Sequence, residues 1–201
     1  MRRVTALATA AATLATLGLT SLGLGPGGTV APSAYAAPAA KQVRVSDGCV
    51  SSVPEPGESD AVEICYSLLR PAGANRKRPV PMIMHSHGWG GSRTTDAAAF
   101  DTFLDAGYGV LSFDQRGWGE SGGHAHVEDP AFEGHDVRRL VRLVSRLRWV
   151  QQDRPGDPRL GAIGGSYGGG YQLLGAFESL RTKGRPVFDA LAPQITWNDL
   201  S

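Results

Sequence analysis

From Val43 onward, short apolar runs alternate with longer stretches in which apolar residues recur at helical spacing. Val43–Val45 and Val62–Leu69 read as strands. Pro54-Glu55-Pro56-Gly57-Glu58 between them is a turn signal, so the pair is expected to form a hairpin. Pro79–His85 reads as a buried strand. Thr94–Ala106 reads as a helix, with Ala97, Phe100, Phe103 and Leu104 on one face and Gly107 as its stop. Val110–Phe113 is the next strand, ending at Asp114. The segment Glu133–Gln151 carries the clearest helical stripe, made by Val137, Leu140, Val141, Val144, Leu147 and Val150, with arginines on the other positions as surface charge. The cluster Asp153–Pro158 breaks it, and Leu160–Ile163 begins a short strand. A helix follows over Tyr171–Leu180, and a last strand over Val187–Ile195. Strands alternating with helices in this way predict an α/β architecture, a mostly parallel sheet with helices on both faces.

The N-terminus has a different character. Arg2 and Arg3 precede an apolar run from Val4 to Leu24, and Ala34-Tyr35-Ala36 fits a small-residue cleavage site. Residues 1–36 are therefore expected to be a signal peptide cleaved after Ala36, and residues 37–201 a domain that is exported. Thr5, Thr9, Thr13, Thr16 and Gly18 dilute the run and argue against a stable membrane anchor. The net charge is +1, and no Lys/Arg cluster is interleaved with aromatics, which gives no basis for a nucleic-acid partner. Arg76-Lys77-Arg78 reads as a solvated turn before a strand. The two cysteines, Cys49 and Cys65, flank the hairpin turn, and in an oxidising compartment they are expected to form a disulfide.

Gly164-Gly165-Ser166-Tyr167-Gly168 fits G-x-S-x-G, in which a serine stands on a sharp strand-to-helix turn with its Oγ lifted off the sheet. Gly164 and Gly168 would permit the strained backbone and the close passage of strand and helix. An apolar strand before and a helix after supply the context that the motif requires, and mark Ser166 as the candidate nucleophile. His87-Gly88-Trp89-Gly90-Gly91 directly follows the strand through Met84. Acyl transfer needs two donors for the developing oxyanion, and the backbone N–H groups of Tyr167 and Trp89 are the candidates. His85-x-His87 and His124-x-His126 each offer two imidazoles, too few for a metal site of three or four protein ligands, so no metal is expected. The glycine-rich stretch has no Lys-Ser/Thr after it and does not make a P-loop.

Three segments together resemble the Xaa-Pro dipeptidyl-peptidase (peptidase family S15) and cocaine-esterase-like serine hydrolases of the α/β-hydrolase fold. They are the Gly-Gly-Ser-Tyr-Gly-Gly turn, Asp114-x-Arg116-Gly117-x-Gly119-x-Ser121, and the Asp136-to-Val150 helix leading into the Ser166 strand; the likeness spans Pro79 to Ser201. The resemblance implies an acyl-serine intermediate at Ser166, a histidine base oriented by an acid, a small peptide or ester substrate, and no cofactor. Such proteins are expected to offer a tyrosine hydroxyl in the oxyanion loop. Here that loop reads His87-Gly88-Trp89, closer to esterases and lipases, which leaves peptide and ester substrates both open.

In this fold the triad runs Ser, then Asp or Glu, then His along the chain. No histidine follows Ser166, since His85, His87, His124, His126 and His135 all precede it, and Asp189 and Asp199 are the only downstream acids. Asp189 is expected at a strand entrance, and Asp199 just past the last strand. The expectation is a front portion of the fold, truncated after the strand that follows the nucleophile helix and inactive by itself. The rival reading is a non-catalytic α/β-hydrolase-like domain that binds a ligand or partner.

Overall fold

The computed structural model describes residues 42–197; the expected signal segment 1–36 and Asp199 lie outside the described residues. Strands β1 (Arg44–Ser51) and β2 (Glu63–Arg70) pair antiparallel as the turn signal predicts, with Cys49 directly opposite Cys65. Directly opposite positions bring Cβ atoms within bridging reach, and the Cys49–Cys65 disulfide is formed. The strands that follow are β3 (Met82–Ser86), β4 (Gly109–Phe113), β5 (Gln152–Arg154), β6 (Asp157–Pro158), β7 (Leu160–Gly165) and β8 (Ala190–Gln194). The main sheet has the order β1-β2-β4-β3-β7-β8. Strands β4, β3, β7 and β8 run parallel, and β2 joins β4 antiparallel.

Helices cover both faces, as the alternation of elements predicts. Successive residues of a strand face opposite ways. Thus Met82, Met84, Leu111 and Phe113 enter one core with Val137, Leu140, Val141 and Val144, whereas Ile83 and Val110 enter a second with Phe100 and Leu104. The first core lies under α2 (Glu133–Arg146) and α3 (Tyr167–Lys183), the second under α1 (Asp101–Asp105) and the single 3₁₀ turn Ala97–Phe100 before it. Asp96 caps that turn by accepting the Ala98 N–H at 2.9 Å, and Gly107 ends the segment at φ +88°. The helix expected over Thr94–Ala106 is therefore shorter and split.

Other boundaries differ from the expectation too: β1 runs on to Ser51 rather than ending at Val45, β3 is Met82–Ser86 rather than Pro79–His85, and the remaining differences have tertiary reasons. Helix α2 stops at Arg146 rather than Gln151, because Leu147 turns extended and Val150 bridges Val80 beside the buried Trp149. The expected breaker Asp153–Pro158 folds into the small β5–β6 hairpin. Helix α3 begins at Tyr167, four residues earlier than expected, with Gly168, Gly169 and Gly170 inside it. Glycine is a poor helix former, but these three stand where side chains would collide. A Cβ on Gly168 would meet the Ser86 and His87 carbonyls, one on Gly169 the Thr196 side chain, and one on Gly170 the Trp197 ring. The last strand is Ala190–Gln194 instead of Val187–Ile195, since Phe188 turns inward to the core and the Val187 N–H donates to Ser179 Oγ. The Arg76–Arg78 segment is an exposed turn.

Candidate active site

Parallel strands deliver their C-terminal ends to one edge of the sheet, where crevices form in open α/β folds. At that edge β7 passes into α3 through Ser166, whose backbone has φ 53° and ψ −119°. A residue with a Cβ pays for such a left-handed conformation, on the order of 1–3 kcal/mol. The surroundings enforce it: the Ser166 N–H donates to the Gln194 carbonyl at 2.9 Å, and its own carbonyl accepts the Gly169 N–H at 2.8 Å. Gly164 has φ +149°, and a Cβ there would stand 2.5 Å from the Gly168 carbonyl. Both expected elbow glycines are thus sterically required. Ser166 holds the N-cap position of α3, yet its side chain makes no capping bond, so the hydroxyl is left to other partners.

The loop after β3 lies against this turn. A Cβ built on Gly88 would be 3.6 Å from Ser166 Cβ. The backbone N–H groups of Trp89 and Tyr167 find no acceptor among the described residues. His87 anchors the loop. Its Nδ1 lies 2.8 Å from the Gly88 carbonyl and must donate to it, while Nε2 accepts the Gln115 N–H at 3.1 Å. Both ring nitrogens are thereby occupied in structural bonds. His85, two residues earlier and inside β3, faces the second core, where Nδ1 contacts Ser112 Oγ at 3.0 Å and the ring meets Phe100 edge-on. Burial, aided by the nearby His87, lowers the His85 pKa to about 4. His126 stacks on Phe132 and pairs with Glu55 at 2.6 Å, and the His124 N–H donates to the same carboxylate at 2.9 Å. Among the described residues, no imidazole hydrogen-bonds Ser166.

The downstream acid Asp189 stands at the N-terminal entrance of β8, where its carboxylate accepts the Leu160 N–H at 2.7 Å. Ser166 is at the opposite end of the neighbouring parallel strand, so the six-residue length of β7 separates the two. Asp189 is a strand-entrance residue, as expected.

The Asp114–Ser121 segment braces the His87–Trp89 loop, through Gln115 on His87 and Trp118 on Trp89. Asp114 receives the Arg93 N–H at 2.5 Å and the Glu120 N–H at 3.0 Å, and also pairs with the Arg93 guanidinium. Gly119, at φ +57°, has no room for a Cβ beside that carboxylate. Ser121 Oγ donates to the Asp114 carbonyl and accepts the Cys65 N–H, both at 2.8 Å. Arg116 is fully buried between Asp136 and Glu55. Burial by itself would raise the Glu55 carboxyl, but hydrogen bonds from His124 N–H, His126 and Arg116 outweigh it and bring the pKa down to about 2.

Sequence reasoning missed Glu128. Its backbone and that of Val127 are both left-handed, at φ 62° and 59°. Both carboxyl oxygens are buried without a well-formed hydrogen bond among the described residues, and the Tyr171 backbone N–H only partly offsets their burial. Burial, followed by the charges of Glu133 and Asp136, raises its pKa well above the carboxylate range. The Tyr167 hydroxyl accepts the Glu128 N–H at 3.2 Å and donates to Glu133 at 3.2 Å, which ties this segment to the residue after Ser166. No local pattern marks Glu128, because its character comes from its burial and from the charges that the fold places beside it.

A family model for X-Pro dipeptidyl-peptidase (S15 family) matches residues 60–201. An uncharacterized 31.7 kDa protein of the traX-finO intergenic region of Escherichia coli is 32% identical over 105 residues, covering 51% of this chain and 35% of that protein. The "Probable dipeptidyl-aminopeptidase B" of Emericella nidulans is 29% identical over 133 residues, covering 64% of this chain and 14% of that protein. The chain thus spans about a third, or less, of the curated relatives it matches. Among solved structures, an acetyl xylan esterase from Paenibacillus sp. R4 superposes with a TM-score of 0.50 at 21% identity, covering 71% of this chain and 52% of that one. That likeness, with the sheet order and the strand-to-helix turn at Ser166, shows the α/β-hydrolase fold. The match over residues 60–201 assigns the sequence: this chain belongs to the X-Pro dipeptidyl-peptidase (S15) family of hydrolases.

Proposed function

We propose that the chain carries the nucleophile half of a secreted serine hydrolase that cleaves peptide or ester bonds through an acyl-serine intermediate at Ser166. The observation that carries this reading is the strained φ of 53° at Ser166, on the turn between β7 and α3, with a side chain that caps nothing. Strain of this kind persists where the surroundings over-determine it, and it clusters at reacting groups. In the reaction, Ser166 Oγ attacks the scissile carbonyl and gives its proton to a general base. The oxyanion then forms beside the unengaged N–H groups of Trp89 and Tyr167, where preorganised donors act at no reorganisation cost. Collapse expels the amine or alcohol, which takes a proton from the conjugate acid, and water releases the acyl group by the same steps. His85, His87 and His126 are held in bonds of their own, and among the described residues no imidazole, His124 and His135 included, hydrogen-bonds Ser166, so we assign the base to a residue outside 42–197.

An esterase reading has its own support: the oxyanion loop offers the Trp89 indole where a tyrosine hydroxyl would favour the peptidase. The test is a fluorophosphonate probe applied to the full-length protein, followed by turnover of Xaa-Pro nitroanilides against short nitrophenyl esters. Labelling is expected on Ser166, and labelling that survives Ser166→Ala overturns the assignment. A full-length protein that takes no probe at all supports the non-catalytic binding domain instead.

A further inference from the structure

Trp89 is 59% exposed although it is the largest apolar side chain type, and it directly follows Gly88, where a Cβ would stand 3.6 Å from Ser166 Cβ. An isolated exposed hydrophobe needs no explanation. This one differs in being fixed. Its ring meets Trp118 edge-on with centroids 4.8 Å apart and an interplanar angle of 68°, and meets Tyr167 at 5.2 Å and 87°. Tyr167 is itself only 1% exposed and stacks on Trp197 at 5.7 Å. The indole is therefore clamped against two other aromatics at geometries that aromatic pairs favour, while most of its surface stays open. Its backbone N–H, the proposed oxyanion donor, belongs to the same residue. A carbonyl oxygen held by that N–H places the groups attached to the carbonyl carbon within a side chain's length of the indole.

We propose that the Trp89 indole is a specificity wall of the Ser166 site, selecting substrates with a flat apolar ring next to the scissile carbonyl. The inference rests on the serine-hydrolase reading above. A flat ring gains by stacking or edge contact on a wall whose orientation is already set, because little side-chain freedom is lost on binding. A methyl group in the same place covers only a small part of the indole. The ring can belong to the acyl group or to the leaving group, and these two sources are separable by experiment.

The test uses the full-length protein and its Trp89→Ala and Trp89→Phe variants. One series of esters shares a leaving group and carries phenylacetyl or acetyl; the other shares an acetyl and carries 2-naphthyl or ethyl alcohol. The readout is the ratio of kcat/KM for the ring-bearing over the small ester, which cancels any change in oxyanion binding common to both. Trp89→Ala is expected to lower that ratio about tenfold in one series, equal to about 1.4 kcal/mol, and Trp89→Phe to restore most of it. A ratio that moves less than twofold in both series overturns the wall. Fluorophosphonate labelling of Ser166, measured on the same samples, separates that failure from a failure of the serine-hydrolase reading, in which the unsubstituted protein would take no label.

Discussion

Arg116 and Asp136 form a buried two-point pair: Nε donates to Oδ2 at 2.9 Å and Nη2 to Oδ1 at 2.8 Å. The guanidinium also donates to Glu55 and to the Val53 carbonyl, both at 3.0 Å, and lies over the Phe132 ring. One side chain thus ties the loop after β4 to the first turn of α2 and to the β1–β2 hairpin turn. Removing one partner of such a pair leaves the other charge buried, which costs roughly 3–5 kcal/mol. Asp136→Ala is expected to cost about that much in urea unfolding. Arg116→Lys should recover little, because an ammonium lacks the planar fork that meets both oxygens.

Gly168 passes against the carbonyls of Ser86 and His87, and there is no space for a methyl group. The obstacles are backbone atoms of the central strand and of the oxyanion loop, so neither can swing aside as a flexible side chain would. Gly168→Ala is expected to displace Ser166 relative to Trp89 and to cut fluorophosphonate labelling by at least a hundredfold, the scale of a roughly 1 Å misplacement of reacting groups. Gly184→Ala, at the left-handed end of α3 with nothing within 4 Å of its Cβ position, is the control. It should cost about 1 kcal/mol of stability and leave labelling intact.

The central parallel strands and the Ser166 turn were legible because each is a local pattern. Met82–Ser86 and Gly109–Phe113 are buried on both faces and read as continuous apolar runs, and Ser166 is bracketed by glycines. What escaped the sequence depends on partners distant in the chain. The start of α3 was hidden because Gly168–Gly170 look helix-breaking until Ser86, Thr196 and Trp197 are seen against them. The end of α2 was hidden because Val150 continues the helical stripe in sequence but answers to Val80 in space. Arg116 was legible as part of a motif, though not its pairing with Asp136 and Glu55, which lie 20 and 61 positions away.

The Cys49–Cys65 bond closes a loop of 16 residues across adjacent strands. A crosslink of that span restricts the unfolded chain by roughly 3 kcal/mol in the loop-entropy account. β1 pairs with β2 and stands at one end of the sheet order, so it has few other restraints. The Cys49→Ser/Cys65→Ser double variant is expected to lose about 2–4 kcal/mol and to show faster hydrogen exchange in β1 than in β3. Unchanged exchange in β1 would show that the ladder alone holds the hairpin.

Glu128 gives the protein a pH dependence of defined sign. Its folded-state pKa is raised by burial and by the neighbouring Glu133 and Asp136 charges, whereas the unfolded chain titrates near 4.5. Below that value the carboxyl is protonated in both states and the folded state suffers no loss. As pH rises past 4.5 the unfolded chain releases the proton and the folded chain keeps it, so stability falls by about 1.4 kcal/mol per pH unit until the folded pKa is reached. Glu128→Gln keeps the shape and cannot ionise. The stability difference between Glu128→Gln and the unsubstituted protein, from urea midpoints at pH 5, 6 and 7, is therefore expected to grow in favour of the variant as pH rises. Residues such as Glu55, which titrate on the acid side, are common to both proteins and cancel in the difference. A flat difference would mean that the Glu128 carboxyl meets water or a donor in solution, and the strained Val127–Glu128 backbone would then need another cause.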